Sequence, residues 1–201
     1  VARARLIGTI TLLAGAATPG PAFAHATNTG FGPFYDGLAH LVVTPEDLLT
    51  VIAVALCAAQ HGARDARRAV VALPAAWLAG IAAGAVVAPA PGSDVPALVL
   101  MIALGAIVAA GRRLPELLLL GLAVVAGLWH GFGNGANGAG AELGLLFVAG
   151  VGCGVFVLAT LVGGQAVSPK AAWSRVAVRV AGSWIAAVGL LMLGWTVRGG
   201  S

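Results

Sequence analysis

The sequence predicts an all-α, polytopic membrane protein with six transmembrane helices behind an N-terminal signal peptide. Three observations predict it. Sixty per cent of the residues are hydrophobic and only 9% are charged, against roughly 25% charged in a soluble domain. Six long apolar runs follow one another with short polar breaks between them. The basic residues gather in every second break, a pattern that membrane topology imposes.

The first element is the leader. Arg3 and Arg5 precede an apolar run over 6–17, Thr18-Pro19-Gly20-Pro21 breaks it, and Ala22-Phe23-Ala24 supplies a small-residue cleavage site. A charged start, a short apolar core and an A-x-A site make a signal peptide over 1–24. Its apolar run is shorter than the roughly 20 residues that a spanning helix needs, which counts against the alternative of a retained anchor. Cleavage after Ala24 would leave His25 first in the mature chain, joining a free amine and an imidazole in one metal-chelating group. The alternative is that His25 merely borders a processing site in a mobile tail.

An outer-face segment, 25–47, leads into the first helix. Asp36 and His40 are four residues apart, so a helix there puts both on one face. A carboxylate beside an imidazole orients a metal ligand; otherwise the two simply hydrogen-bond across an interfacial turn. Thr44-Pro45-Glu46-Asp47 then reads as a helix start, with Thr44 as N-cap, Pro45 in the first helical position and two carboxylates against the positive end of the helix dipole. Capping accounts for both acids, and a helix end open to an outer vestibule makes Glu46 and Asp47 cation ligands as well.

The transmembrane domain, 48–197, holds apolar runs at 48–60, 69–88, 95–110, 117–129, 143–163 and 180–197. Several are shorter than a full span but extend over flanking small or polar residues to bilayer length. Arg64, Arg67 and Arg68 occupy the first connection, Arg112 and Arg113 the third, and Lys170, Arg175 and Arg179 the fifth, while the second and fourth carry no Lys or Arg. The positive-inside rule makes the odd connections cytoplasmic and puts both mature ends outside, including the short tail 198–201. An exported N-terminus agrees with that orientation.

This topology gathers His40, Glu46, Asp47, Asp94, His130, Asn134 and Glu142 on the outer side. Ionisable residues at a membrane boundary are costly and mark sites, and imidazole with carboxylate suits a divalent transition-metal cation. The fourth run ends in Trp129-His130-Gly131-Phe132-Gly133-Asn134-Gly135. That much glycine predicts irregular backbone, tolerated only where protein covers it or where it lines a wet cavity. His130 beside it is the leading candidate ligand, the other reading being a histidine anchored at the interface.

Gly80 and Gly84, spaced as GxxxG, predict close helix packing. So does Gly150-Val151-Gly152-Cys153-Gly154, which no strand precedes and which is therefore not a dinucleotide loop. Cys57 and Cys153 lack zinc-ligand spacing and read as buried small residues. G-L-x-H occurs at 37–40 and again at 127–130, in halves that six spans would orient oppositely, as in inverted-repeat transporters.

With these residues in view, the mature chain resembles the HupE/UreJ family along nearly its whole length. The family's first signature, F-x-x-G-x-x-H-P-x-x-G-x-D-H, is met by Phe34, Gly37 and His40. Leu41, Thr44, Glu46 and Asp47 stand where its proline, second glycine, aspartate and last histidine are expected. The second signature, H-G-x-x-H-G-x-E, is met by His130, Gly131 and Gly135, with Asn134 in place of the second histidine and the nearest acid displaced to Glu142. Pro74 and Gly84 fit the family pattern, Asp94 falls at a position usually acidic, and Leu161-Val162-Gly163-Gly164 lacks a histidine often present there. The resemblance implies a multi-pass protein of the bacterial cytoplasmic membrane that takes up nickel or cobalt, with no permanently bound cofactor. The departures exchange nitrogen donors for oxygen donors at the same outer site.

The expected function is a secondary permease. A divalent cation, nickel or cobalt favoured, is caught by His40, Glu46, Asp47 and His130 with Asp36, Asp94 and Glu142 in support, and passes between helices. No nucleotide-binding motif is visible, so coupling falls to an ion gradient, the membrane potential or a partner. The competing expectation is a metal-binding or accessory subunit of a membrane complex that does not transport, holding copper at His25. An enzyme is not expected, since the sequence shows neither HExxH nor GxSxG. The expected partners are the lipid bilayer, the metal cation and either a second copy of the chain or a membrane complex. Nucleic acid is not among them, because the basic residues are divided between the connections.

Overall fold

The structure is a computed structural model and describes residues 28–86, 95–138, 144–167 and 172–199. The signal peptide, His25, Asp94 and Glu142 lie outside the described residues. Among the described residues the fold is all-helical: α1 (Pro33–Val43), α2 (Pro45–His61), α3 (Ala63–Ala85), α4 (Val95–Ala110), α5 (Glu116–Gly138), α6 (Leu145–Val167) and α7 (Ala172–Gly199). The apolar runs fall one to a helix from α2 to α7, and α1 is added ahead of them.

Helices α3, α5, α6 and α7 are long and apolar enough to cross a membrane. α1 and α2 pass the same test only as a pair, and they are bent by 77° at their junction. α4 has 16 residues and so rises roughly 24 Å, short of the roughly 30 Å of bilayer hydrocarbon. By length and composition the described helices therefore give 4 crossings, or 5 with the bent pair, against six expected.

The bend follows from Thr44-Pro45. Proline disfavours a helical residue before it, and Thr44 is extended, at φ −103° and ψ 94°. Thr44 takes the N-cap position without a side-chain capping bond, its carbonyl accepting from the amides of Asp47 and Leu48 instead. Between α2 and α3 the chain turns at Gly62, whose φ of 118° with ψ of 177° is open essentially to glycine alone.

α2 is the axis of the bundle and touches all the other helices. Val51 and the residues from Ala53 to Ala59 along it are buried. Around it stand three intimate pairs, α3 with α5, α4 with α7 and α1 with α6. Glycine makes each approach possible. A methyl group on Gly80 or Gly84 would collide with the α5 backbone at Leu128 or Phe132, and one on Gly131 or Gly135 with the α3 carbonyls of Trp77 or Ile81. Gly37 and Gly150 press α1 and α6 together in the same way, and Gly105 and Gly182 do so for α4 and α7. The packing expected of the GxxxG and of the glycines at 150–154 is thus observed. Cys57 is buried as expected, whereas Cys153 is exposed on α6, because Gly150, Val151, Gly152, Gly154 and Val155 make up the buried face of that helix and Cys153 falls on the other.

The pairing of contacts fixes direction: α3 and α5 run parallel, as do α1 and α6, while α4 and α7 run antiparallel. One end of the bundle therefore gathers the start of α2 and the last turns of α5. The other gathers Arg64, Arg67, Arg68, Arg112, Arg113, Arg175 and Arg179.

Candidate functional site

At the end opposite the arginines, a string of polar side chains runs through the apolar interior. Asp47, in the first turn of α2, is 3% exposed; His130 is 4% exposed and Thr50 fully buried. Asp47 Oδ1 lies 2.7 Å from His130 Nδ1, and Asp47 Oδ2 accepts from Asn134 Nδ2 at 3.0 Å. The far side of the His130 ring, Nε2, is 3.3 Å from Thr50 Oγ1. Asn134 Oδ1 is 3.4 Å from His40 Nε2, which also lies 3.8 Å from Asp47 Oδ2.

One set of protons satisfies every contact. His40 Nε2–H donates to Asn134, the Asn134 amide and His130 Nδ1–H donate to the Asp47 carboxylate, and the Thr50 hydroxyl donates to His130 Nε2. A buried, hydrogen-bonded carboxylate of this kind is stable without a cation and attractive to one.

Helical spacing delivers these groups. His130 and Asn134 are four apart on α5, and Asp47 and Thr50 three apart on α2, so each pair shares a face. Trp77 on α3 stacks on His130 with ring centres 5.3 Å apart and planes at 30°. Phe147 on α6 lies 5.8 Å from the His40 ring. The irregular backbone expected at Gly131–135 is absent: α5 stays helical through Gly138. The glycines there serve tertiary packing, since Gly131 and Gly135 sit beside His130 and Asn134 and remove the side chains that would hold α3 away.

Of the residues expected at the site, the structure brings together His40, Asp47 and His130, joined by Asn134. Both copies of G-L-x-H act alike, the glycine pressing on a neighbouring helix and the histidine three residues on entering the string. Asp36 shares α1 with His40 but turns to Thr29, whose amide and hydroxyl donate to Oδ1 at 2.6 and 2.7 Å. Glu46 is half-buried in the first turn of α2. Thr50 and Trp77 were not singled out in the sequence; the only signal for Thr50 is its spacing from Asp47, and Trp77 is hidden in an apolar run. Among the described residues no group of three or more His, Cys, Asp or Glu forms a ready-made metal cage.

A family model described as HupE / UreJ protein matches residues 12–192. No curated protein and no solved structure matches.

Proposed function

The chain belongs to the HupE/UreJ family, and from that premise we propose that it is a secondary permease for a divalent transition-metal cation, nickel or cobalt. Members of the family are membrane proteins related to nickel and cobalt transport. The observation that carries the reading for this chain is the buried Asp47–His130 pair, extended by Thr50, Asn134 and His40. A carboxylate on one ring nitrogen is the arrangement that holds a histidine ready to bind a metal through the other.

The cation arrives from the end that holds the string and takes the Nε2 lone pair of His130, displacing the Thr50 hydroxyl. Asp47 holds the ring through Nδ1 and offsets one positive charge. His40 and the Asn134 carbonyl complete the donors, with Glu46, Asp36, Asp94 and Glu142 drawing cations to that end. The donor set is richer in oxygen than a cluster of histidines, which widens the range of metals accepted.

The membrane arrangement belongs to the same proposal. The leader over 1–24 is cleaved, α1 and α2 form one broken span, and α4 crosses as the short sixth, matched by local thinning of the bilayer. The arginine end faces the cytoplasm of a bacterium, and both mature ends face the periplasm. Cells expressing the wild type should accumulate nickel or cobalt, and His130→Ala should reduce accumulation to the level of cells without the protein. Equal uptake by the two would sink the proposal.

A second reading is favoured by one observation, that the described residues hold no preformed three-ligand group. In it the chain is an accessory subunit that binds a metal without transporting it, copper at a mature N-terminal His25 included. Metal accumulation by cells separates the two, and mass spectrometry of the purified chain tests the copper site, because an uncleaved N-terminus rules out the amino-terminal chelate.

A further inference from the structure

At the arginine end a groove of about 640 Å³ opens between α3 and α5. Arg64, Arg67 and Arg68 form its base, and Val71, Ala75 and Leu120 line the wall above. The α3 residues recur every three or four positions, so they make one continuous helical face, cationic below and apolar above. The glycines of α5 that draw it against α3 contact α3 from Leu73 upward, whereas Gly121 nearer the arginine end meets nothing within 4 Å.

The arginines are not equivalent. Arg68 is held by Glu116 of α5 and by Asp65, which ties the two helices together at the foot of the groove. Arg64 and Arg67 are exposed and have no carboxylate partner among the described residues. Two uncommitted guanidiniums at a membrane boundary fit the oxygens of a phosphate. The wall above them is the part that a soluble anion leaves unused: Val71 is 64% exposed, and Ala75 is small enough to leave room beside it.

We propose that this groove binds an anionic phospholipid, its headgroup phosphate between Arg64 and Arg67 and an acyl chain along Val71, Ala75 and Leu120. Charge complementarity selects the headgroup and the apolar wall selects a lipid over free phosphate. The site is separate from the Asp47–His130 string and does not depend on which cation, if any, is carried.

The test uses the purified full chain in detergent, titrated with phosphatidylglycerol, phosphatidylcholine or glycerol phosphate, with bound lipid read by native mass spectrometry. Phosphatidylglycerol should be retained in preference to phosphatidylcholine, and glycerol phosphate should not displace it. Each arginine near an anionic lipid is worth about fivefold in binding, so Arg64→Gln with Arg67→Gln should lower retention about thirtyfold. Arg112→Gln with Arg113→Gln removes the same charge at the same end outside the groove, and should leave retention unchanged. Ala75→Trp fills the wall with every arginine in place, and should also lower retention. Equal losses from the two arginine pairs, displacement by glycerol phosphate, or full retention by Ala75→Trp would each overturn the proposal. The wild type gives a check that needs no variant: phosphatidylglycerol should raise its Tm more than phosphatidylcholine does, and an equal rise would overturn the proposal too.

Discussion

Asp47 divides its two oxygens between His130 and Asn134, and so determines what each of them offers a cation. Asp47→Asn preserves size but removes the charge and one of the two acceptor oxygens, so that His130 and Asn134 can no longer both donate to position 47. Losing such a partner typically costs 10–100-fold in metal affinity, so metal titration of the purified variant should show a loss in about that range. Thr50→Val tests the other side of the ring. It leaves the buried Nε2 without its donor, which costs about 1–3 kcal/mol of stability, yet metal accumulation should persist because the hydroxyl only occupies the place of the cargo. Thermal unfolding and uptake on the same variant separate the two effects. His40, Asp47 and His130 were legible in the sequence because an ionisable group in so apolar a chain needs a reason. Thr50 and Trp77 were not, since a hydroxyl or an indole in an apolar run acquires a role only when another helix passes it.

At the level of helices, glycine is the residue whose local signal misleads. Five glycines from Gly127 to Gly138 suggest a loop, but Gly127, Gly131 and Gly135 are the face on which α3 lies, and the segment is helix. The distinction is measurable within one turn. Gly133 has open space where a Cβ would go, so Gly133→Ala should be neutral or stabilising by up to about 1 kcal/mol from helix propensity. Gly131→Ala drives a methyl into the Trp77 carbonyl and should cost about 1–3 kcal/mol and displace His130, read as a lower Tm and reduced uptake. A second contact between elements lies at the other end. His61 donates from Nδ1 to the Cys57 carbonyl at 2.7 Å and accepts the Leu114 amide at Nε2 at 2.6 Å, tying the end of α2 to the connection before α5. His61→Phe should release that connection, and trypsin should then cut after Arg112 or Arg113 faster than in the wild type.

For the whole molecule, the apolar runs and the alternation of arginines made the helices and their two unlike ends legible. They did not show that α2 would be the hub, nor that the chain would bend by 77° ahead of it, because both depend on which helices meet. The proposed orientation puts Asn28 outside and Arg113 inside. A membrane-impermeant maleimide should therefore label Asn28→Cys on intact cells, and Arg113→Cys only after permeabilisation, in a background where Cys153 is replaced by Ser. The permease reading meets its most direct test in proteoliposomes offered nickel, cobalt, zinc, manganese and copper in parallel. Wild type and Gly133→Ala are expected to accumulate nickel or cobalt while His130→Ala accumulates none and Asp47→Asn less than the wild type, and uptake by His130→Ala equal to that of the wild type would contradict it.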